Sequence, residues 1–242
     1  MKKVFILIGG VIVLLVAMVL IAPGFIDWNA YKGEITRAAE TATGRRLSID
    51  GDLRFTVLPT PALRASGVRL SNIDGAQSPD MLTLKEVRIR VSIAELFRKR
   101  IAVESIQLVE PVITLEVLAD GRASWDFAIN LGGDDSKPGL KNTGDAGVAI
   151  SLASLTITKG VVSYRNGAQL EHIENINAEI AAGSLDGPFT ATLSALVRGV
   201  PIEATLRTNT VRSNQPIGIN SAVAITGLKS RVLFSGKLVD PG

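Results

Sequence analysis

The pattern of apolar and polar positions changes twice along the chain. Residues 4–22 read VFILIGGVIVLLVAMVLIA, with no charge and no hydroxyl or amide side chain. At about 1.5 Å per residue, a helix of this length covers roughly 28 Å, close to the hydrocarbon thickness of a bilayer. A helix in a globular core is polar on one side, and this run has no polar side. Lys2 and Lys3 precede it, so the positive-inside bias keeps the N-terminus cytoplasmic and exports the chain beyond Ala22. The competing reading is a cleaved signal peptide, whose apolar region would be about 7–15 residues ending in a small-x-small site. Here Leu20, Ile21, Ala22 and Pro23 stand at that place. The expectation is therefore an uncleaved anchor over residues 1–23. Trp28 and Tyr31 then either join an interfacial aromatic belt or pack into the following domain.

After Pro23 and Gly24 the spacing becomes helical. Asp27 is an N-cap for a helix from Trp28, Ile35, Ala38, Ala39 and Ala42 give it a modest apolar face, and Gly44 ends it. Arg45 and Arg46 read as solvated charge at the helix end or, more sharply, as a phosphate contact at a membrane surface. From Leu47 the period is two. Strands are expected over 47–49 and 53–57 around the Asp50-Gly51 turn, then over 63–70, with a loop over 72–79. Val87-Arg88-Ile89-Arg90-Val91 is the cleanest alternation, and it places Arg88 and Arg90 in water. Residues 94–98 form a helical turn. Strands 103–109 and 112–118 come next, with Pro111 at the start of the second, and Asp120-Gly121 turns the chain toward Trp125.

Residues 132–147, GGDDSKPGLKNTGDAG, read as a flexible linker. Beyond it the strand-like segments are 149–158, 161–164, 169–172, 173–182, 189–197, 200–208, 216–226 and 231–239, punctuated by glycine and Asn-Gly. The expected organisation is an anchor over 1–23, a β-rich domain led by a short helix over 24–131, the linker, and a continuing β-meander over 148–242. The chain stops directly after a strand, which reads as a fragment or as a short member of a longer family.

Composition narrows the chemistry. There is no cysteine, which removes disulfides, thiol catalysis and thiolate metal sites together. Lys and Arg number 26 against 23 Asp and Glu, and aromatics are 5% of residues. No stripe of basic and aromatic residues marks a nucleic-acid partner. His172 is the single histidine and no serine stands in a G-x-S-x-G elbow. Asp134-Asp135 lies in the linker, and no glycine-rich loop opens a helix. No enzyme, metal or cofactor is expected.

The segment Ile26-Asp27-Trp28-Asn29-Ala30-Tyr31-Lys32, then Ala42-Thr43-Gly44-Arg45-Arg46-Leu47-Ser48-Ile49-Asp50-Gly51-Asp52-Leu53, resembles the N-terminal region of the AsmA family. Gly67-Val68-Arg69-Leu70-Ser71-Asn72, Ile106-Gln107-Leu108-Val109-Glu110-Pro111 and Asp120-Gly121-Arg122-Ala123-Ser124-Trp125 continue the likeness, which covers about residues 1–127. The resemblance implies a Gram-negative envelope protein, held in the inner membrane by one helix with its bulk in the periplasm. It also implies a groove-shaped β body and a part in phospholipid transport and outer-membrane lipid homeostasis. An older view of the family implies instead a role in outer-membrane protein assembly.

Strands that are apolar on one face must cover it. Patterning alone favours two sheet faces closed into a sandwich. The resemblance favours a long antiparallel meander curled into an open apolar trough for acyl chains, each buried methylene contributing roughly 0.8 kcal/mol. Candidate lining residues are Val87, Ile89, Val91, Ile113, Leu115, Val117, Leu155, Ile157, Ile217, Ile219, Val223 and Ile225. The partners expected are phospholipid, the inner membrane and other envelope proteins, including those of the outer membrane.

Overall fold

The computed structural model describes residues 26–57, 60–92, 102–126, 153–182, 187–210, 216–226 and 230–238. The expected anchor, the helical turn at 94–98 and the linker lie outside them. Among the described residues no helix is long and apolar enough to cross a membrane.

Asp27 caps as its sequence position predicts, its carboxylate accepting from the Asn29 N–H at 3.0 Å. A single 3-10 turn, Trp28–Tyr31, leads into α1, Lys32–Thr43. Gly44 ends the helix in the left-handed conformation, φ 66°. Asn29 ties this unit to the sheet by accepting the Leu53 N–H at 3.0 Å. Trp28 packs into the domain, against Phe55 with ring centroids 5.0 Å apart, while Tyr31 is largely exposed.

All twelve strands belong to one sheet. They are β1 Leu47–Ile49, β2 Leu53–Thr56, β3 Ala62–Ser71, β4 Asp80–Val91, β5 Val103–Val109 and β6 Val112–Val117. After the linker come β7 Ser154–Asn166, β8 Gln169–Ala182, β9 Phe189–Val197, β10 Val200–Thr208, β11 Ile217–Ile225 and β12 Ser230–Leu238. The pairing order is β1-β3-β4-β5-β7-β8-β9-β10-β11-β12, with β2 beside β3 and β6 between β4 and β7.

The sheet is mixed, which corrects the expectation of an antiparallel meander throughout. β5 and β6 both run antiparallel to β4 and lie in line along it, and β7 runs parallel to both. The strands before and after the linker therefore share one hydrogen-bonded surface.

A crease crosses this surface. Gly67, Glu110, Lys159 and Asn175 have φ of 60°, 48°, 54° and 50°. Each lies at an odd step between apolar side chains that keep to one face, such as Ala65 and Val68 on β3 or Ile157 and Val162 around Lys159. One extra residue per strand would otherwise flip the following side chains to the other face; the left-handed residue absorbs it, with register breaks around Lys159 and Asn175. Neighbouring crease positions are linked: Lys85 Nζ donates to Glu110 Oε1 at 2.8 Å, and the Glu110 N–H donates to the Thr158 carbonyl at 2.8 Å. Gly160 is held tight against Pro111 and Ile176, where an added Cβ would lie 3.2 and 3.3 Å from them. Phase breaks at the crease explain why β7 and β8 each read from sequence as two strands.

Among the described residues the buried core is small. Leu53, Ala65, Val68 and Leu84 form it at the β1–β4 end, under Trp28 and Ile35.

A side chain in the left-handed region costs about 1–2 kcal/mol, and glycine's added backbone entropy takes back part of that. Lys159→Gly should raise stability by about 0.5–1 kcal/mol in urea unfolding. Deleting Lys159 should abolish the cooperative transition, because it moves Val162 and Tyr164 off the face they share with Ile157.

Candidate functional site

Residues directly opposite in a ladder share a face, so the register maps the sheet surface side chain by side chain. One row runs Phe55, Leu63, Ile89, Ile106, Leu155, Ile180, Ala191, Leu206, Ser221 and Phe234. The next row on the same face runs Leu53, Ala65, Val87, Leu108, Ile157, Ala178, Leu193, Ala204, Val223 and Val232. Between them a third row points the other way: Arg54, Arg64, Arg88, Gln107, Thr156, Glu179, Thr192, Thr205, Ala222 and Leu233. Ser221 alone interrupts the apolar rows. With strands about 4.8 Å apart, the rows extend on the order of 43 Å.

Coverage is uneven along this length. Leu53 is 2% exposed beneath Trp28 and Ile35, whereas Val232 and Phe234 at the far end are 69% and 60% exposed. No second sheet stands over the apolar rows among the described residues.

Of the candidate residues read from sequence, Val87, Ile89, Leu155, Ile157 and Val223 stand in the two rows. Ile113, Leu115 and Val117 stand on the same face beyond the crease, opposite Val162, Tyr164 and Asn166 of β7. Ile217, Ile219 and Ile225 share the face of Val223 on β11. Val91 lies past a register shift at the end of β4, opposite Val103. Val223 is exposed and the others are half-buried. Arg90 is exposed as expected, but Arg88 is only half-exposed and pairs with Glu86 at 2.7 Å. Leu193, Leu206, Val232 and Phe234 belong to the rows but were not among the sequence candidates. Their alternation is diluted by alanine, serine and threonine, which leaves a weak period-two signal.

A second cluster gathers the motif residues at the end of β6. Glu116 is 3% exposed, and its carboxylate accepts the Gln77 and Ser78 N–H groups at 2.8 and 2.9 Å, pinning the 72–79 loop. Such a charge is tolerated out of water only when it is hydrogen-bonded. The Glu116 N–H donates to Ser124 Oγ at 2.9 Å, and Arg45 Nη2 donates to the Ser124 carbonyl at 2.9 Å. Arg45 is buried, which corrects the reading of it as solvated charge; burial lowers its guanidinium pKa, against the field of Asp74. Arg46 and Ser71 exchange hydrogen bonds, the Arg46 N–H to Ser71 Oγ at 3.0 Å and the Ser71 N–H to the Arg46 carbonyl at 2.9 Å. This cluster locks the loops to the sheet and presents no reactive group.

His172 has neighbours that sequence spacing hid. Register places Ser163 directly opposite, with Oγ 2.9 Å from Nδ1, and Glu174 Oε1 lies 3.2 Å from Nε2. The three groups stand on an exposed strand surface. A depression of about 280 Å³ is lined by His172 and Glu174 together with Leu170, Glu171, Leu196 and Arg198, and it does not reach Ser163. Nucleophilic catalysis needs a substrate cleft at the serine, and the described depression stops short of Ser163. Nor does any group of three His, Asp or Glu side chains there converge on a cation position.

Glu116→Ala would leave the part-buried Gln77 and Ser78 N–H groups without their carboxylate acceptor and should lower stability by about 1–3 kcal/mol in urea unfolding, with the 72–79 amides losing hydrogen-exchange protection first.

No curated protein matches this chain. A family model does, across the apolar run 4–22, the motif cluster and the strands as far as Val223 of β11. On that match over residues 1–223, the chain belongs to the AsmA family.

Proposed function

We propose that this protein is a non-enzymatic lipid carrier of the bacterial envelope, anchored in the inner membrane by residues 4–22 with its sheet in the periplasm. Membership of the AsmA family supports a role in envelope and membrane-lipid processes. The observation that carries the finer reading is the pair of apolar rows crossing ten strands, β2 to β5 and β7 to β12, with no second sheet over them among the described residues. An apolar surface of this extent marks an interaction site. Its continuity across ten strands and its alanines at Ala178, Ala191 and Ala204 suit an extended acyl chain, with the phospholipid headgroup left in water. The rows supply a path and no driving force. No cofactor or metal takes part, and the Ser163–His172–Glu174 set is a surface hydrogen-bond group.

One feature favours a second reading, a scaffold for outer-membrane protein assembly. β12 has no described partner on its outer edge, and Val232, Leu233 and Phe234 are all exposed on it. Such an edge accepts an added strand.

Photo-crosslinkers placed at Leu206 and at Thr205 of the full chain in intact cells separate the readings, since these neighbours face opposite ways on β10. The expected result is phospholipid captured from 206 and not from 205, lost in the Val223→Asp variant and retained in His172→Ala. Capture of protein alone, from either position, would favour the scaffold and sink the carrier.

A further inference from the structure

We infer that the polar face of the sheet, opposite the apolar rows, holds a pocket for a phosphate monoester. Arg54 of β2, Arg64 of β3 and Arg88 of β4 stand directly opposite one another in register. Arg90 lies two residues along β4 on the same side, opposite Ser105 of β5. Like charges directly opposite in a ladder weaken strand pairing, so this arrangement works against the sheet unless something answers it.

The described carboxylates answer it only in part. Asp52 takes Arg54 at 2.7 Å. Glu86 alone serves both Arg88, at 2.7 Å, and Arg64, at 3.4 Å. Arg90 Nε has a neutral partner, Ser105 Oγ at 2.6 Å. Arg88 Nε is shut off from solvent with no hydrogen-bond partner. Four guanidinium groups thus face two carboxylates, and donor capacity remains.

A cavity of about 430 Å³ lies over this set. Arg64, Arg88 and Arg90 line it, and Ser105, Gln107 and Thr156 add neutral donors. Arg54 is in the row but outside the cavity. A phosphate monoester carries close to two negative charges and three outward oxygens, which matches converging guanidinium forks better than a single carboxylate does. The cavity is larger than a phosphate group, so the esterified carbon and its neighbours fit inside as well. Either a soluble phosphate monoester or the monoester headgroup of phosphatidic acid has this chemistry.

The test is calorimetric titration of the full chain in maltoside detergent at fixed ionic strength, with glycerol 3-phosphate and, separately, with dihexanoyl phosphatidic acid. The expected result is saturable binding of at least one of them. Arg64→Gln and Arg90→Gln should each weaken it roughly tenfold or more, and Arg54→Gln less than about twofold. Arg90→Lys keeps the charge and loses the fork, so it should still weaken binding severalfold while its thermal midpoint stays at the wild-type value. Similar affinity for both ligands identifies a soluble ester as sufficient, and binding of the lipid alone identifies a headgroup; both outcomes support the pocket. No saturable binding of either ligand, no effect of Arg64→Gln and Arg90→Gln, or an equal effect of Arg54→Gln would overturn it.

Discussion

The structure depends on side chains staying in phase across the crease. A sheet with one apolar face tolerates no odd step, because a single extra residue turns every later side chain into water. At least four strand lines carry such a residue at the same level, and each absorbs it in the left-handed region, at Gly67, Glu110, Lys159 and Asn175. Three of these are not glycine, and each holds a conformation that costs free energy for its own residue. The return is collective: two unbroken rows whose members come from ten strands.

That geometry also separates the two faces. The apolar rows and the arginine row alternate residue by residue on the same strands, so neither could be moved without moving the other. The motif cluster of Arg45, Glu116 and Ser124 belongs to neither surface. It fastens the 72–79 loop and the β6 turn to the end of the sheet, with the Glu116 carboxylate and Arg45 Nη2 both hydrogen-bonded inside it. The most recognisable residues of the chain are therefore structural, while the surfaces that could meet a ligand are built from common residue types.

The sequence exposed part of this. Helix start and end were legible because Asp27 and Gly44 act locally. The strands were legible wherever alternation ran unbroken, as at 87–91 and 189–208. Each splitting of a long strand fell at the crease, where the apolar phase slips and local pattern cannot tell a bulge from a turn. The parallel pairing of β7 was invisible, since nothing within either strand specifies a partner on the far side of a long linker. Candidate residues on one strand were found by period two, but their joining into rows, like the meeting of Ser163 with His172, is a property of register between strands. Arg45 misled because a charge beside a helix end is usually solvated, and its acceptor lies at Ser124, far along the chain.

The parallel pairing of β7 with β5 and β6 has a consequence for how the molecule is made. Hairpins β3–β4 and β8 onward close locally, soon after their strands become free to pair. The seam between the halves joins Ser105 to Ser154 and Val117 to Asn166, and it must wait for the whole intervening stretch. Loop closure of that length is slow and entropically costly. Until it happens, β5 and β6 present a bare edge with apolar side chains beside it, which is the form in which sheets associate with the wrong chain. The period between synthesis of β6 and arrival of β7 is thus when this protein most needs protection from its neighbours.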